Sequence, residues 1–369
     1  MKNSFFDTFT EPILLLDTGK CKANIKSMCA RAKGAGVSLR PHFKTHQSHE
    51  VGRWFREEGV NKITVSSLRM AEYFSADGWK DITVAFPINI REIDRINELA
   101  EQVQLNVLIE NEESIEYLST HLNSPVGAFL KIDIGYHRTG IDPREVTKIK
   151  TLLQAIGRSS QIQVIGLLGH AGHSYKARSR AAIHQVHLDS LALMRSLKEK
   201  LSVDYPNLLI SVGDTPTCSW EQQFPGADEI RPGNFVFYDL AQWRIGSCRF
   251  DQIAVAMACP IVAKHAQRKQ LVVYGGGVHF AKDQSLLLDN KTTYYGHVVP
   301  FKDGAWGLPN GQNYISSLSQ EHGIVQVQDA VFDAYQVGDF LTILPIHSCM
   351  AANAMKAYRT LDGETLSRL

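Results

Sequence analysis

Residues 62–86, KITVSSLRMAEYFSADGWKDITVAF, contain two short apolar runs, KITVSS and DITVAF, on either side of an amphipathic segment. The runs are rich in β-branched residues, and the segment between them has apolar positions three and four apart. This pattern predicts a strand, a helix and a second strand. Strands that alternate with helices are typical of a parallel sheet.

The same alternation of apolar runs and amphipathic segments repeats from about residue 20 to residue 240. Eight runs predict strands, at residues 37–44, 62–67, 81–86, 104–110, 127–135, 163–172, 208–214 and 228–237. Eight alternating units with no change of pattern predict a parallel (β/α)8 TIM barrel, and so an α/β fold. A doubly wound open sheet is the alternative, but no GxGxxG motif follows the first predicted strand.

The pattern changes after residue 250 to alternating runs with hairpin-like turns. Segments such as HGIVQVQDAVF and GDFLTILPIHSC predict a mostly antiparallel β domain. The short N-terminal segment EPILLLD either joins this domain or leads into the barrel. We expect a barrel at residues 18–245 and a β domain at residues 246–369, with residues 1–17 placed in the β domain.

Composition and charge exclude several classes of protein. The chain has 39 Lys and Arg against 38 Asp and Glu, so no basic field is available to hold nucleic acid or an anionic membrane. Six cysteines without a CxxC pair favour a reducing cytoplasm. The N-terminal apolar run is too short for a signal peptide, and the stretch 253–263 is too short to span a membrane. We expect a small-molecule ligand.

The chemistry of a TIM barrel is placed where its strands end, at their carboxyl side. The first predicted strand ends in RPHFKTH (40–46), which places Lys44 there, and the seventh and eighth end in SVGDTPTCS (211–219) and RPGNFVFYD (231–239). Loops at these last two positions commonly bind phosphate. Residue type alone favours a solvated surface role for Lys44. Its position beside a phosphate site instead suggests pyridoxal phosphate, whose aldehyde forms a Schiff base with an amine.

His347 and Cys349 flank one serine near the C-terminus. In an extended segment this spacing puts both side chains on one face, and an imidazole with a thiolate suits Zn²⁺. Two protein ligands would leave open positions, as in a catalytic zinc site. A buried histidine beside a structural cysteine is the alternative.

Six motifs, RPHFKTH, DIGYHRTG, GHAGHSY, GDTPT, RPGNFVFYD and HSC, follow one another along the chain. With these motifs, over nearly its whole length, the chain resembles the D-threonine aldolase and D-serine dehydratase family of fold-type III pyridoxal-phosphate enzymes, relatives of alanine racemase. The resemblance implies a barrel that carries the cofactor, a β domain that supplies the metal, and a homodimer.

The resemblance also implies roles for single residues. It makes Lys44 the Schiff-base and catalytic lysine, and Arg138 the arginine that reaches the phenolic oxygen of the cofactor. It makes His347 and Cys349 the ligands of Zn²⁺ or Mn²⁺. The other implied cofactor-binding residues are Tyr175, Thr217, Gly233 and Asn234.

Two positions depart from the family pattern. Gln47 stands where the family commonly has lysine, and Asp214 stands where a small residue commonly precedes Thr215. A carboxylate aimed at a phosphate would repel it, so we expect Asp214 to point away or to cap the following helix.

The resemblance implies a lyase that acts on a small D-β-hydroxy amino acid. The HxC pattern is similar to the dehydratase branch, whereas D-threonine aldolases more often show HxD, so the leading hypothesis is D-serine dehydration to a keto acid and ammonia. Retro-aldol cleavage to glycine and an aldehyde is the closest alternative. A racemase would need a second base, for which Tyr294 and Tyr295 are available, and a non-catalytic pyridoxal-phosphate-binding protein would resemble the barrel alone.

Overall fold

The computed structural model describes residues 9–369 and divides into two compact units. The barrel unit comprises residues 25–235 and 245–247. The β unit comprises residues 236–244 and 248–369 together with the described residues up to Asn24. Of the N-terminal piece that the sequence places in the β domain, residues 1–8 lie outside the described part.

The described chain begins with β1 (Ile13–Leu16) and α1 (Thr18–Gly34). The barrel unit then has eight strands, which are β2 (Ser38–Leu39), β3 (Lys62–Val65), β4 (Asp81–Pro87), β5 (Gln104–Ile109), β6 (Val126–Ile132), β7 (Ile162–Gly169), β8 (Leu209–Val212) and β9 (Glu229–Ile230). All of their pairings are parallel, in the order β2-β9-β8-β7-β6-β5-β4-β3. The predicted (β/α)8 architecture is confirmed.

Two backbone hydrogen bonds close the ring between its first two strands. The amide of Phe43 donates to the carbonyl of Thr64 at 2.8 Å, and the amide of Thr64 donates to the carbonyl of Pro41 at 2.9 Å. Because the strands are parallel, their carboxyl ends all open on the same side of the barrel.

Helices follow the strands as the apolar periodicity predicts. They are α2 (His49–Glu57), α3 (Leu68–Ala76), α4 (Ile93–Ala100), α5 (Glu112–His121), α6 (Val146–Arg158), α7 (Arg180–Leu201) and α8 (Thr215–Trp220). Short polar side chains begin several of them, since Ser67 accepts a hydrogen bond from the amide of Met70 and Asn111 accepts one from the amide of Ser114. Such caps satisfy amides that have no partner within the helix.

The β unit is mostly antiparallel, as predicted. Its further elements are α9 (Leu240–Arg244), β10 (Val255–His265), β11 (Gln270–Tyr274), α10 (Gly277–Phe280), β12 (Ser285–Leu286), β13 (Thr293–Tyr294), β14 (Gly296–Val299), β15 (Phe301–Lys302), β16 (Ala305–Trp306), β17 (Tyr314–Leu318), β18 (His322–Gln326), α11 (Asp329–Ala334), β19 (Phe340–Pro345), α12 (Ser348–Ala354), β20 (Ala357–Thr360) and β21 (Thr365–Ser367). Its main sheet closes on itself, because β11 pairs with both β18 and β10.

The segment after the barrel strands belongs to the β unit, although the sequence-based division places residues up to 245 in the barrel. The amide of Ala254 donates to the carbonyl of Phe237 at 2.8 Å, and the rings of Phe237 and Tyr358 lie 5.4 Å apart. At the other end of the chain, β1 pairs antiparallel with β10 and parallel with β20. Within residues 9–369, no helix has the length and apolar character needed to cross a bilayer.

Candidate active site

Lys44 lies in the turn after β2, at the carboxyl end of the barrel strands. Its neighbours Phe43 and Thr45 are fully buried, whereas the Lys44 side chain is exposed. The ring of Phe43 lies 5.0 Å from that of Phe55 and 4.9 Å from that of Phe74, so an aromatic cluster anchors the turn. The anchored turn directs the amine out of the core.

Gln47, one of the two departures from the family pattern, completes this turn. It is buried, has a left-handed backbone with φ of 46°, and donates from Nε2 to the carbonyl of Lys44 at 3.0 Å. Few residues other than glycine and asparagine adopt this conformation without cost. Gln47 therefore acts on the backbone that carries the lysine.

Cationic side chains surround His42 at the strand ends. Burial lowers the pKa of His42 well below its ordinary value, and the charges of Lys44, Arg231 and Arg138 lower it further. Nδ1 of His42 accepts a hydrogen bond from the Lys44 amide at 3.4 Å. A neutral ring that accepts at this nitrogen carries its proton on Nε2.

His170, which follows β7, is held in the same uncharged state. Burial lowers its pKa to about 3, the charges of Lys44, Lys131 and Arg138 act in the same direction, and a bond to the Gly213 carbonyl opposes them. That bond is 2.9 Å long and involves Nδ1, which must carry the proton because the partner is a carbonyl oxygen. Both imidazoles are thus neutral while the charge around them is positive.

Lys131 and Arg231 extend the positive charge into the barrel interior, and neither was identified from the sequence. Burial lowers the pKa of Lys131 to about 7, helped by Arg231 and Arg138. Arg231 is buried, and it donates to the carbonyl of Gly169 at 2.7 Å and to Oγ of Ser211. Arg231 stands inside the RPGNFVFYD motif, so its place in the motif was the available signal.

Glycine and threonine residues bring the segments at the carboxyl ends of β2, β8 and β9 into contact. A Cβ on Gly233 would lie 2.8 Å from the carbonyl oxygen of His42, so no larger residue fits there. The amide of Thr215 contacts the hydroxyl of Tyr175 at 3.4 Å, and the amide of Phe235 donates to Oγ1 of Thr215 at 3.3 Å. Of the implied cofactor residues, Tyr175, Gly233 and Asn234 therefore come together at one end of the barrel.

Asp214 caps α8, as expected from the sequence, and so turns its carboxylate into the helix. It accepts bonds from the amide of Thr217 at 2.9 Å, the hydroxyl of Thr217 at 2.8 Å and the hydroxyl of Ser174 at 2.6 Å. The single hydroxyl proton of Thr217 is committed to this carboxylate. Phosphate binding by Thr217 stays a prediction, and Thr215 is a further residue of that motif at the strand mouth.

Burial decides the charge state of Asp214. It raises the pKa of this carboxyl to about 6, and the hydrogen bonds from Ser174 and Thr217 oppose it only in part. The group therefore titrates close to neutral pH.

His347 and Cys349 lie in the β unit, where the chain leaves β19. The expectation of one extended segment is wrong, because only His347 is extended, with φ of −130° and ψ of 105°, and α12 begins at Ser348. The side chains of His347 and Cys349 nevertheless hydrogen-bond to each other. Nδ1 of His347 lies 3.4 Å from Oδ1 of Asp283, a carboxylate that the sequence did not reveal.

The surroundings of His347 suit a cation. Burial lowers its pKa, but the bonds to Asp283 and Cys349 and the charge of Asp239 raise it to about 11. A histidine that bonds a carboxylate through one nitrogen while a thiol stands beside it is a common metal-binding arrangement. No group of three or more His, Cys, Asp or Glu side chains suited to a metal occurs in residues 9–369.

Comparisons with known proteins agree with this geometry. Residues 16–240 match the family model "Alanine racemase, N-terminal domain", and residues 254–361 match "Putative serine dehydratase domain". The chain is 29% identical to the D-serine dehydratase of Dictyostelium discoideum, over 98% of this chain and 96% of that protein. It is 26% identical to a 3-hydroxy-D-aspartate aldolase of Paracoccus denitrificans, over 94% of this chain and 87% of that protein.

Solved structures give the same result for the fold. The D-threo-3-hydroxyaspartate dehydratase of Delftia sp. HT23 superposes with a TM-score of 0.90 at 25% identity, covering 99% of this chain and 98% of that one. A mutant of that dehydratase has been solved in a metal-free form. Membership of the alanine racemase fold supports pyridoxal phosphate as the cofactor.

The pKa of Asp214 predicts a pH dependence of stability. Because the folded value of about 6 exceeds the ordinary 3.8, the stabilising contribution of this carboxyl is complete below pH 3.8 and is lost as the pH rises through 6. Asp214→Asn does not titrate. Between about pH 4.5 and about pH 7.5, the melting temperature of the wild type should therefore fall relative to that of the variant.

Asp142→Asn is the matched control. Hydrogen bonds from Arg144 lower the pKa of Asp142 to about 2, so this carboxylate is ionised throughout that range. The difference in melting temperature between wild type and Asp142→Asn should stay constant. A wild type that gains stability over Asp214→Asn as the pH rises would show that hydrogen bonding, not burial, controls Asp214.

Proposed function

We propose that this chain, which belongs to the family that joins an alanine racemase N-terminal domain to a serine dehydratase domain, is a pyridoxal-phosphate- and divalent-metal-dependent lyase. Its substrate class is D-β-hydroxy amino acids, with D-serine dehydration to pyruvate and ammonia as the leading reaction. The observation that carries the proposal is the group of cations around Lys44, held with two neutral imidazoles at one end of the barrel.

The residues at this end fit the cofactor. Pyridoxal phosphate and an amino acid bring phosphate, phenolate and carboxylate groups, and Lys44, Arg138, Arg231 and Lys131 supply positive charge for them. The backbone at Gly233 is packed too closely for a side chain, which lets main-chain groups reach a phosphate. When bound, the cofactor acts as an electron sink that stabilises negative charge at Cα.

Lys44 would hold the cofactor through its amine and then take the proton from Cα of the substrate at Nζ. The buried neighbours of Lys44 and the Gln47 bond fix the backbone that carries the amine. Arg138, whose guanidinium carbon lies 5.0 Å from the ring centre of Tyr136, would meet the phenolic oxygen. Tyr175, Thr217, Gly233 and Asn234 would hold the phosphate end.

In the β unit, His347 and Cys349 would hold the metal. A divalent cation supplies Lewis acidity that polarises the β-hydroxyl as a leaving group. The thiol favours Zn²⁺ over harder ions, with Mn²⁺ as the second choice. Asp283, at one nitrogen of His347, would set the orientation of the ring.

We further propose a homodimer, on the resemblance to the family, and a cytoplasmic location. All six cysteines are free thiols, which supports a reducing compartment.

The products of the reaction test the proposal. With added pyridoxal phosphate and Zn²⁺, the protein should convert D-serine to pyruvate and ammonia in equal amounts, measured by a coupled dehydrogenase assay and an ammonia assay. Lys44→Ala should lower kcat by at least about 10²-fold, because it removes the group that transfers the proton. Lys80→Ala, an exposed lysine just before β4, should leave kcat unchanged.

Other products would show that the protein has a different function. Glycine and an aldehyde from D-threonine or D-3-hydroxyaspartate would assign the aldolase reaction. Conversion of a D-amino acid to its L-form without ammonia would assign a racemase. Binding of pyridoxal phosphate with no product from any of these substrates would assign a cofactor-binding protein.

Removal of a metal ligand tests the β unit separately. Cys349→Ala should lose bound zinc, measured by elemental analysis, and lose D-serine dehydration, while keeping the visible absorbance of the bound cofactor. Cys29→Ala is the matched control, since Cys29 is a partly buried thiol in the barrel unit. Zinc retained by Cys349→Ala, or lost by Cys29→Ala, would contradict the assignment of the metal ligands.

A further inference from the structure

Asp239 is the last residue of the RPGNFVFYD motif. Its carboxylate is fully buried in the β unit. Oδ2 accepts two hydrogen bonds from Ser348, one from the amide at 2.9 Å and one from the hydroxyl at 3.1 Å. Oδ1 accepts from the amide of Gln242 at 2.9 Å, which caps α9. The carboxylate thus bridges the starts of α9 and α12.

Ser348 is the residue between the two proposed metal ligands. Its backbone angles set the direction of His347 relative to Cys349, and its amide and hydroxyl both donate hydrogen bonds to Asp239. A second bond lies beside this contact, from the amide of Ala241 to the carbonyl of Ile346 at 3.1 Å. Two successive contacts from the start of α9 therefore hold the chain on each side of His347.

A buried carboxylate is costly unless its oxygens are bonded. Here three donors satisfy Asp239, and two of them come from the residue between the ligands. An apolar residue at this position would fill the space but would accept none of these hydrogen bonds.

We propose that Asp239 is a positioning residue for the divalent metal. It holds Ser348 so that the imidazole of His347 and the thiol of Cys349 converge before the metal arrives. This inference rests on the proposed metal role of those two ligands. Residues that orient ligands in this way commonly change metal affinity by about 10- to 100-fold when substituted.

Zinc affinity of the full-length protein tests the inference. The dissociation constant for Zn²⁺ is measured by competition with a chromophoric chelator, and the melting temperature of each variant is measured by circular dichroism. Asp239→Asn keeps the shape of the side chain but removes the charge and one acceptor, so it should weaken Zn²⁺ binding by about 10- to 100-fold. Ser348→Ala should weaken it by about tenfold, and it carries the test if Asp239→Asn fails to fold.

Asp339→Asn is the control for loss of a carboxylate. Asp339 accepts a bond from the amide of Gln336 at 2.7 Å and lies just before β19, whereas His347 lies beyond the other end of that strand. The six residues of β19 separate the two sites by about 20 Å. Asp339→Asn should therefore leave the dissociation constant for Zn²⁺ unchanged.

The possible results distinguish a failure of the positioning role of Asp239 from a failure of the proposed metal site, on which that role rests. If the wild type binds Zn²⁺ with an affinity that His347→Ala abolishes, and Asp239→Asn or Ser348→Ala binds more weakly, the positioning role holds. If folded Asp239→Asn and Ser348→Ala bind Zn²⁺ as the wild type does, whatever their melting temperatures, Asp239 is only a structural cap. If His347→Ala binds Zn²⁺ as the wild type does, the proposed metal site itself is wrong.

Discussion

Closure of the barrel between the segment before Lys44 and the strand that holds Thr64 is the constraint on which the site depends. The amides of Phe43 and Thr64 make the two closing bonds, and Oγ1 of Thr64 adds a third to the carbonyl of Arg40. These bonds fix the direction of the backbone after the short β2. Phe43 holds the next part of the chain in place, because its ring packs in an aromatic cluster. The fold therefore places Lys44 at the carboxyl end of the barrel strands.

The positive charge at that end is balanced from deeper in the barrel. Arg40 bonds Glu229 at 2.9 Å and also pairs with Asp81, and Ser211 donates to Glu229 at 2.6 Å while it accepts from Arg231. Buried charges are tolerated when such partners satisfy them. Arg231 bonds the hydroxyl of Ser211 and the carbonyl of Gly169, and its positive charge favours a ligand with anionic groups.

Periodicity was sufficient to predict the architecture, because each barrel strand and the helix after it carry their own local pattern. The segment 236–244 packs in the β unit against partners that are distant in the chain, such as Ala254 and Tyr358, and no local period indicates such contacts. The motifs located Lys44, Arg138, Tyr175, Gly233 and Asn234 at the strand ends. They did not reveal partners that are remote in the chain.

The same limit applies to the charged groups that tune the site. Asp283 lies 64 residues before His347, and Asp239 lies 109 residues before Ser348. No local spacing encodes such contacts. The side chains of His347 and Cys349 meet across a helix start, and not along the extended segment that their spacing predicts. The left-handed backbone at Gln47 was equally invisible, because glutamine is not a residue type that favours this conformation.

Covalent trapping tests whether the amine of Lys44 carries the cofactor. The protein loaded with pyridoxal phosphate is reduced with borohydride, digested and analysed by mass spectrometry. We expect a phosphopyridoxyl group on Nζ of Lys44 alone. A label on Lys131, or an unlabelled Lys44 in protein that shows the absorbance of bound cofactor, would contradict it.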